Sequence, residues 1–153
     1  MAEYSAIAVQ TVNPGESAVY TATTVPCNAG VIQHGDGTPN FLLSGYVPNN
    51  GGCCCCNRQN QRAEYDMYVG VNIAIPTGGT VGQIAIAVAV DGATLGYSEM
   101  DVTPAAVEQY FHVSNKITVP IFRGCCQTVT VRNISDQPIL MKNLVTGFKR
   151  DDL

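Results

Sequence analysis

The sequence has 153 residues, of which 46% are hydrophobic and 13% are charged, and its formal net charge is −4. This length suits one domain, predicted to span residues 1–153. An acidic chain whose longest basic run is Lys149-Arg150 lacks the positive stripe that binds phosphates, which argues against nucleic-acid binding. The longest apolar run, Ile84–Val90, is too short to cross a bilayer, which argues against a membrane protein.

The low charge also bears on assembly, because soluble monomers usually carry about twice this share of charged residues. Either part of the surface is buried against other subunits, or the abundant Thr, Ser, Asn and Gln residues cover it; we favour an oligomer. Residues 1–4 lack the positive flank and apolar core of a secretory signal. We therefore expect synthesis in the cytosol without export by that route, and release by lysis within a larger particle stays open.

Apolar and polar residues alternate with a period of two along most of the chain, which is typical of half-buried β-strands. Turn residues, such as Asp91-Gly92, separate these segments. The pattern predicts an all-β sandwich of about eight to ten antiparallel strands. The predicted strands cover residues 4–12, 17–21, 30–33, 41–46, 65–75, 84–90, 94–100, 116–121, 128–132 and 139–148.

Three further local features are predicted. Residues 104–107 form one helical turn capped by Thr103. Residues 48–62 form a long exposed loop rich in cysteine. In the segment 84–90 the large residues face the core, and the alternating alanines are expected to pack closely against a second surface, such as another subunit.

The seven cysteines do not have the spacing of a metal site, because consecutive residues of an extended segment point to opposite sides. Free or partly oxidised thiols, one disulfide formed after release, and a metal site all stay open, in that order of preference. The residues concerned are Cys27, Cys53, Cys54, Cys55, Cys56, Cys125 and Cys126.

No set of residues has the composition and spacing of a catalytic site. His34 and Asp36 form a candidate base and orienting group, but a surface loop explains them more simply. Glu99 and Asp101 share a strand face that solvent would cover, and His112 fits a sheet edge or a subunit interface. The sequence therefore predicts a protein that is not an enzyme and has no catalytic, cofactor or metal site.

Several segments carry a resemblance to a known group of proteins. Residues 4–12, 25–30, 72–80, 84–88, 102–107, 119–126 and 129–133 resemble small virion proteins encoded in phages and prophages of gut Firmicutes. More loosely, the strand pattern is similar to the tumour-necrosis-factor-like jelly roll at the ends of bacterial collagen-like proteins. The cysteine run at 53–56 and the tail at 149–153 depart from the pattern.

The resemblance implies a jelly-roll sandwich that forms homotrimers and decorates the outside of a phage capsid, with the major capsid protein as its partner. A trimer would place an aromatic and aliphatic sheet region at the axis, and Tyr110, Phe111 and Val113 are the candidate interface. The alternative is a receptor- or glycan-binding fibre or tip module in which Tyr46, Tyr68 or Tyr97 stacks on a sugar. A redox or metal-storage role of the cysteine run is a third, weaker hypothesis.

Overall fold

The computed structural model describes residues 1–27, 29–46, 62–122 and 124–150. Two antiparallel sheets pack as a sandwich around a hydrophobic core. The strands are β1 Ala2–Ala6, β2 Gln10–Val12, β3 Ala22–Val25, β4 Ile32–Gln33, β5 Phe41–Leu43, β6 Arg62–Ala74, β7 Ile84–Val90, β8 Ala93–Thr94, β9 Met100–Val102, β10 Phe111–Phe122, β11 Gln127–Asn133 and β12 Ile139–Arg150. A short 3₁₀ turn, Gly96–Ser98, lies between β8 and β9.

Each sheet has five strands in series and a sixth beside them. Sheet 1 has the order β10-β6-β12-β1-β3, and β2 also pairs with β12. Sheet 2 has the order β4-β5-β11-β7-β8, and β9 also pairs with β7. The predicted all-β sandwich is therefore confirmed.

The alternation of side chains decides which residues form the core. On β6, Tyr65, Met67 and the alternate residues up to Ile73 are buried between the sheets. Aromatic rings fill one region of the core, where Phe41 lies 4.8 Å from Tyr4 and 5.0 Å from Phe148 between ring centroids. Burial of this much apolar surface is the main term that stabilises such a sandwich.

The predicted N-terminal strand is divided in two because of a bulge in its neighbour. β1 pairs with β12 up to Ala6–Leu144, and β2 resumes the pairing at Gln10–Met141. Between these points Asn143 adopts a left-handed φ of 51° and its amide donates a hydrogen bond to the Ile7 carbonyl. At this point β12 has one residue more than β6 between paired positions, and the N-terminal chain has one residue more than β12, so the pairing is interrupted.

Three other segments differ from the prediction. The predicted strand 94–100 is instead the end of β8, the 3₁₀ turn Gly96–Ser98 and the start of β9, because the Ser98 hydroxyl donates to the Leu95 carbonyl and closes a turn. Residues 17–21 make isolated bridges rather than a strand, because the Gln10 side-chain amide bonds both backbone groups of Val19 at 2.9 Å. Residues 104–107 do not form a helical turn. The Ala105 amide donates instead to the Gln109 side chain, and Glu108 adopts a left-handed φ of 56° that a helix does not allow.

The alanine-rich face of β7 is covered by the chain itself. Ala87 and Ala89 have no exposed surface, and Ala85 is 8% exposed. Arg132 pairs with Ala87 in the register, and its guanidinium donates to the Gly92 carbonyl at 2.9 Å, so its side chain extends along this face. The expectation that these alanines contact another subunit is wrong.

Candidate functional site

The side of sheet 1 that points away from the core, here named the outer face, carries the candidate site. Side chains of residues paired across neighbouring strands share a face, so the register assigns its members. They include Glu3 and Ser5 on β1; Glu64, Asp66, Tyr68, Gly70, Asn72 and Ala74 on β6; His112, Ser114, Lys116, Thr118 and Pro120 on β10; and Leu140, Lys142, Val145, Gly147 and Lys149 on β12.

Charged residues lie in three of the four cross-strand rows of the outer face that run from Asp66 to Asn72. Asp66 pairs with Lys149 in the first row, and Lys142 pairs with Asn72 in the fourth. In the second row, Lys116 and Glu3 lie at either side of the pair Tyr68 and Gly147. The third row consists of Ser114, Gly70 and Val145, none of which is charged. The centre of the face is therefore crossed by one row of small, neutral residues.

Tyr68 forms a ridge across this centre. A Cβ atom added to Gly147 would lie 2.1 Å from the Tyr68 ring, so the ring rests directly on the glycine. The Tyr68 hydroxyl donates to Glu3 Oε2 at 2.7 Å. Partial burial, together with the hydrogen bond to Glu3 and the negative charge of Glu3, raises the pKa of Tyr68 to about 12. The phenol thus stays neutral and the ring is fixed in orientation.

A shallow hollow of about 460 Å³ lies beside the ridge. Gly70 contributes to its lining, since a Cβ there would meet Val145 Cγ1 at 3.4 Å and His112 Cε1 at 3.5 Å. His112 is oriented by its Nδ1–H, which donates to Asn72 Oδ1 at 3.0 Å. The hollow is lined by Tyr68, Val69, Gly70, His112, Ser114, Asn115, Lys116 and Val145.

The structure places the three predicted interface residues at the end of sheet 1. Tyr110 lies beneath the Lys142 ammonium, which is 4.0 Å from the ring centroid. Phe111 pairs with Ile73 and Val113 with Val71, so both point to the core side of the edge strand β10 and stay half-buried. Whether these residues contact another subunit stays a prediction.

The cysteines fall into three groups. Cys53 to Cys56 lie outside the described residues, together with the predicted loop from residue 48 to residue 61. Residue 62, its last predicted member, already begins β6. Cys125 and Cys126 are joined to each other by a disulfide. This pairing of adjacent residues was not among those expected from the sequence. Cys27 is a half-buried free thiol.

His34 is not the surface loop histidine expected from the sequence. Its ring stacks on Phe41 at 4.4 Å between centroids, and its Nδ1 pairs with the Asn40 carbonyl at 2.9 Å. Asp36 accepts a hydrogen bond from the Thr23 hydroxyl at 2.8 Å. The structure thus gives His34 and Asp36 separate partners, and His34 packs among the core aromatics.

The paired carboxylates Glu99 and Asp101 lie close together. The pKa of Glu99 is raised by its hydrogen bond with Asp101 and by that residue's negative charge, so the two carboxyl groups do interact. Within the described ranges, no three His, Cys, Asp or Glu side chains are grouped as a metal site. In the same part of the chain, no helix is long and apolar enough to span a membrane.

The sequence already contained a signal for the part of the site that was missed. Gly70 interrupts the polar side of an otherwise regular strand, and glycine inside a strand often marks a close approach of another group. Gly147 likewise lies inside a strand, β12, on the outer face. Their neighbours across the sheet could not be identified without the register.

Comparison with known proteins identifies the fold. No protein-family model matches the sequence, and no curated protein matches it. The globular domain of a zebrafish complement 1qA protein superposes with a TM-score of 0.55 at 6% identity, covering 95% of this chain and 94% of that one. A family 35 carbohydrate-binding module from Clostridium thermocellum gives a TM-score of 0.32 at 11% identity, covering 91% and 97% of the two chains. The chain therefore has a jelly-roll-like β-sandwich fold similar to that of the complement domain.

Proposed function

We propose that this protein is a homotrimeric structural subunit that associates through the outer face of sheet 1 and decorates the outside of a phage capsid. The observation that carries the proposal is the uncharged row of Ser114, Gly70 and Val145, with the hollow of about 460 Å³ beside the Tyr68 ridge. Small residues at the centre of an exposed sheet face allow another surface to approach closely. The low overall charge of 13% supports the same conclusion.

The shape of the surfaces favours a ring rather than a twofold dimer. The hollow is concave, whereas Phe111 and Val113 form a half-exposed apolar edge on β10. A contact between two different surfaces is heterologous, and such contacts close into a ring when the rotation permits. Three copies agree with the jelly-roll resemblance given above, and the capsid partner rests on the resemblance to phage virion proteins.

The first test is the mass of the protein in solution. Sedimentation velocity should give three copies per particle. Ser114→Arg places a long cation on the neutral row and should yield a monomer with unchanged circular dichroism. Thr94→Arg, on the exposed β8 of sheet 2, is the matched control and should stay trimeric. A wild-type monomer at about 100 μM, where a weak trimer would still form, contradicts the proposal.

The second test addresses the capsid. On this proposal the gene belongs to a phage or prophage, and empty capsids assembled from the major capsid protein of that phage should bind the wild-type trimer. The bound capsids should resist heating better, because a ligand that binds only the assembled shell stabilises it. The Ser114→Arg monomer should bind more weakly, since it loses multivalent attachment. A trimer that neither binds nor stabilises these capsids keeps the oligomer and excludes the decoration role.

A glycan-binding module is the second candidate, and the hollow itself favours it. The Tyr68 ring stands beside Ser114 and Lys116, an arrangement of one aromatic wall and two polar groups that suits a sugar. Tyr46 and Tyr97 are more exposed, at 62% and 60%, but the Tyr97 hydroxyl donates to the Thr118 carbonyl. A glycan array signal lost in Tyr68→Ala would support this candidate, and a trimer that covers the hollow would exclude it.

A further inference from the structure

We infer that protonation of His112 weakens the association of the copies, so that assembly through the outer face is sensitive to mildly acidic pH. The inference rests on the proposed function, because it concerns the same face. Histidine is the side chain that gains a positive charge between about pH 8 and about pH 5. His112 lies beside the hollow, where its Nε2 is 3.8 Å from a Cβ placed on Gly70.

The hydrogen bond to Asn72 decides which nitrogen changes its charge state. Asn72 Oδ1 can only accept, so Nδ1 carries the hydrogen of the neutral ring. Nε2 therefore takes up the additional proton, and Nε2 is the nitrogen that lies near the hollow. A neighbouring copy that covers the hollow would remove water from this position.

The charges around His112 add to the effect. On β12, Lys142 lies in the same cross-strand row as His112, with Asn72 of β6 between them. On β10 itself, Lys116 lines the same hollow. Just before β10, the Tyr110 ring lies against the Lys142 ammonium.

The carboxylates of the outer face are farther from His112. Glu3 is bound to Tyr68, two rows along, and Asp66 is one row beyond that. Glu108, in the loop before β10, is exposed and is screened by solvent. Lys116 is likewise two rows from His112, in the row of Tyr68 and Glu3. Lys142 is the like charge in the row of His112 itself, and both desolvation and repulsion by this charge disfavour a protonated His112 in the assembly.

Protonation of His112 acts against the association of the copies. A charge that is disfavoured in the assembled state makes association weaker when the charge is present. Association is therefore strongest where His112 is neutral and weaker where it is protonated. Each of the three copies contributes one His112, so the change in the free energy of association is larger in a trimer than for a single histidine.

The experiment is sedimentation equilibrium of the full chain at about pH 7.5 and about pH 5.5, two values on either side of ordinary histidine titration. The wild-type dissociation constant should rise at least roughly tenfold at the lower pH. His112→Gln keeps a hydrogen-bonding side chain without a titrating group and should associate equally at both values. This variant keeps His34, so any pH dependence of association that remains comes from a group other than His112.

The outcomes separate the two proposals. A trimer with the same dissociation constant at both pH values overturns the His112 inference and leaves the proposed function intact. The same is true if His112→Gln retains the full pH dependence. A chain that is monomeric at both values overturns the proposed function, and the inference with it. Circular dichroism at each pH shows whether the monomers are folded.

Discussion

The two sheets both carry small residues in the middle of their outer sides, but they use them differently. On sheet 2, the β7 alanines are covered within the chain, with Arg132 extending along them. On sheet 1, Gly70 and Gly147 create a hollow and support a tyrosine ridge that remains at the surface. Small residues alone therefore do not identify an interface; the surrounding side chains decide whether a face is closed or open.

The largest expected effect is on the free energy of unfolding, when the same negative charge is placed on the outer side of each sheet in a separate variant. Ala87→Asp forces a carboxylate into a fully covered position beside Arg132, where there is no space for the larger side chain, and should destabilise the fold by about 3 kcal/mol. Ser114→Asp, at an exposed position, should change stability by less than about 0.5 kcal/mol when both proteins are diluted until they are monomeric. Urea denaturation measures both. Equal losses of stability would show that the two faces do not differ in the way described.

An intermediate effect is expected at the support of the ridge. Gly147→Ala should displace the Tyr68 ring, break its hydrogen bond to Glu3 and reduce stability by about 1 kcal/mol. The displaced ring should also weaken association. In a Tyr68→Ala background the same substitution should cost little, because the clash is gone. If the cost is the same in both backgrounds, the ring does not rest on Gly147.

The smallest expected effect is on the alkaline titration of Tyr68. Its pKa is raised to about 12 in the folded protein, so the free energy this group contributes is fully present below the ordinary tyrosine value and is lost as the pH rises toward 12. Glu3→Gln should move the tyrosinate absorbance transition to lower pH by removing a negative neighbour. Tyr68→Phe identifies that transition by deleting it. An unchanged titration in Glu3→Gln would contradict the assigned contact.

Much of the fold could be predicted from local pattern. The alternation in the segment 65–75 identified the core side of β6 correctly, and the β7 boundaries agree with Ile84–Val90. The turn at residues 104–107 and the division of the first strand could not be predicted. They depend on a side-chain contact of Gln109 and on the bulge at Asn143, both of which form only when distant segments meet.

The site was predicted only in part. Tyr110 and His112 were identified by residue type, and both lie at the open end of sheet 1. His34 was misjudged because its glycine-rich surroundings suggested a surface loop, whereas Phe41 brings it into the aromatic core. The cysteine pair shows the same limit, since spacing alone did not indicate that Cys125 and Cys126 bond to each other.

The sequence by itself determined the class of fold and the side of most long strands that enters the core, because a period of two is a local property of the chain. Tertiary structure decided which outer face stays open. That outcome depends on register, which sets Tyr68 over Gly147 and Arg132 along the alanines. Register is fixed by pairing between strands far apart in sequence, so no local pattern contains it.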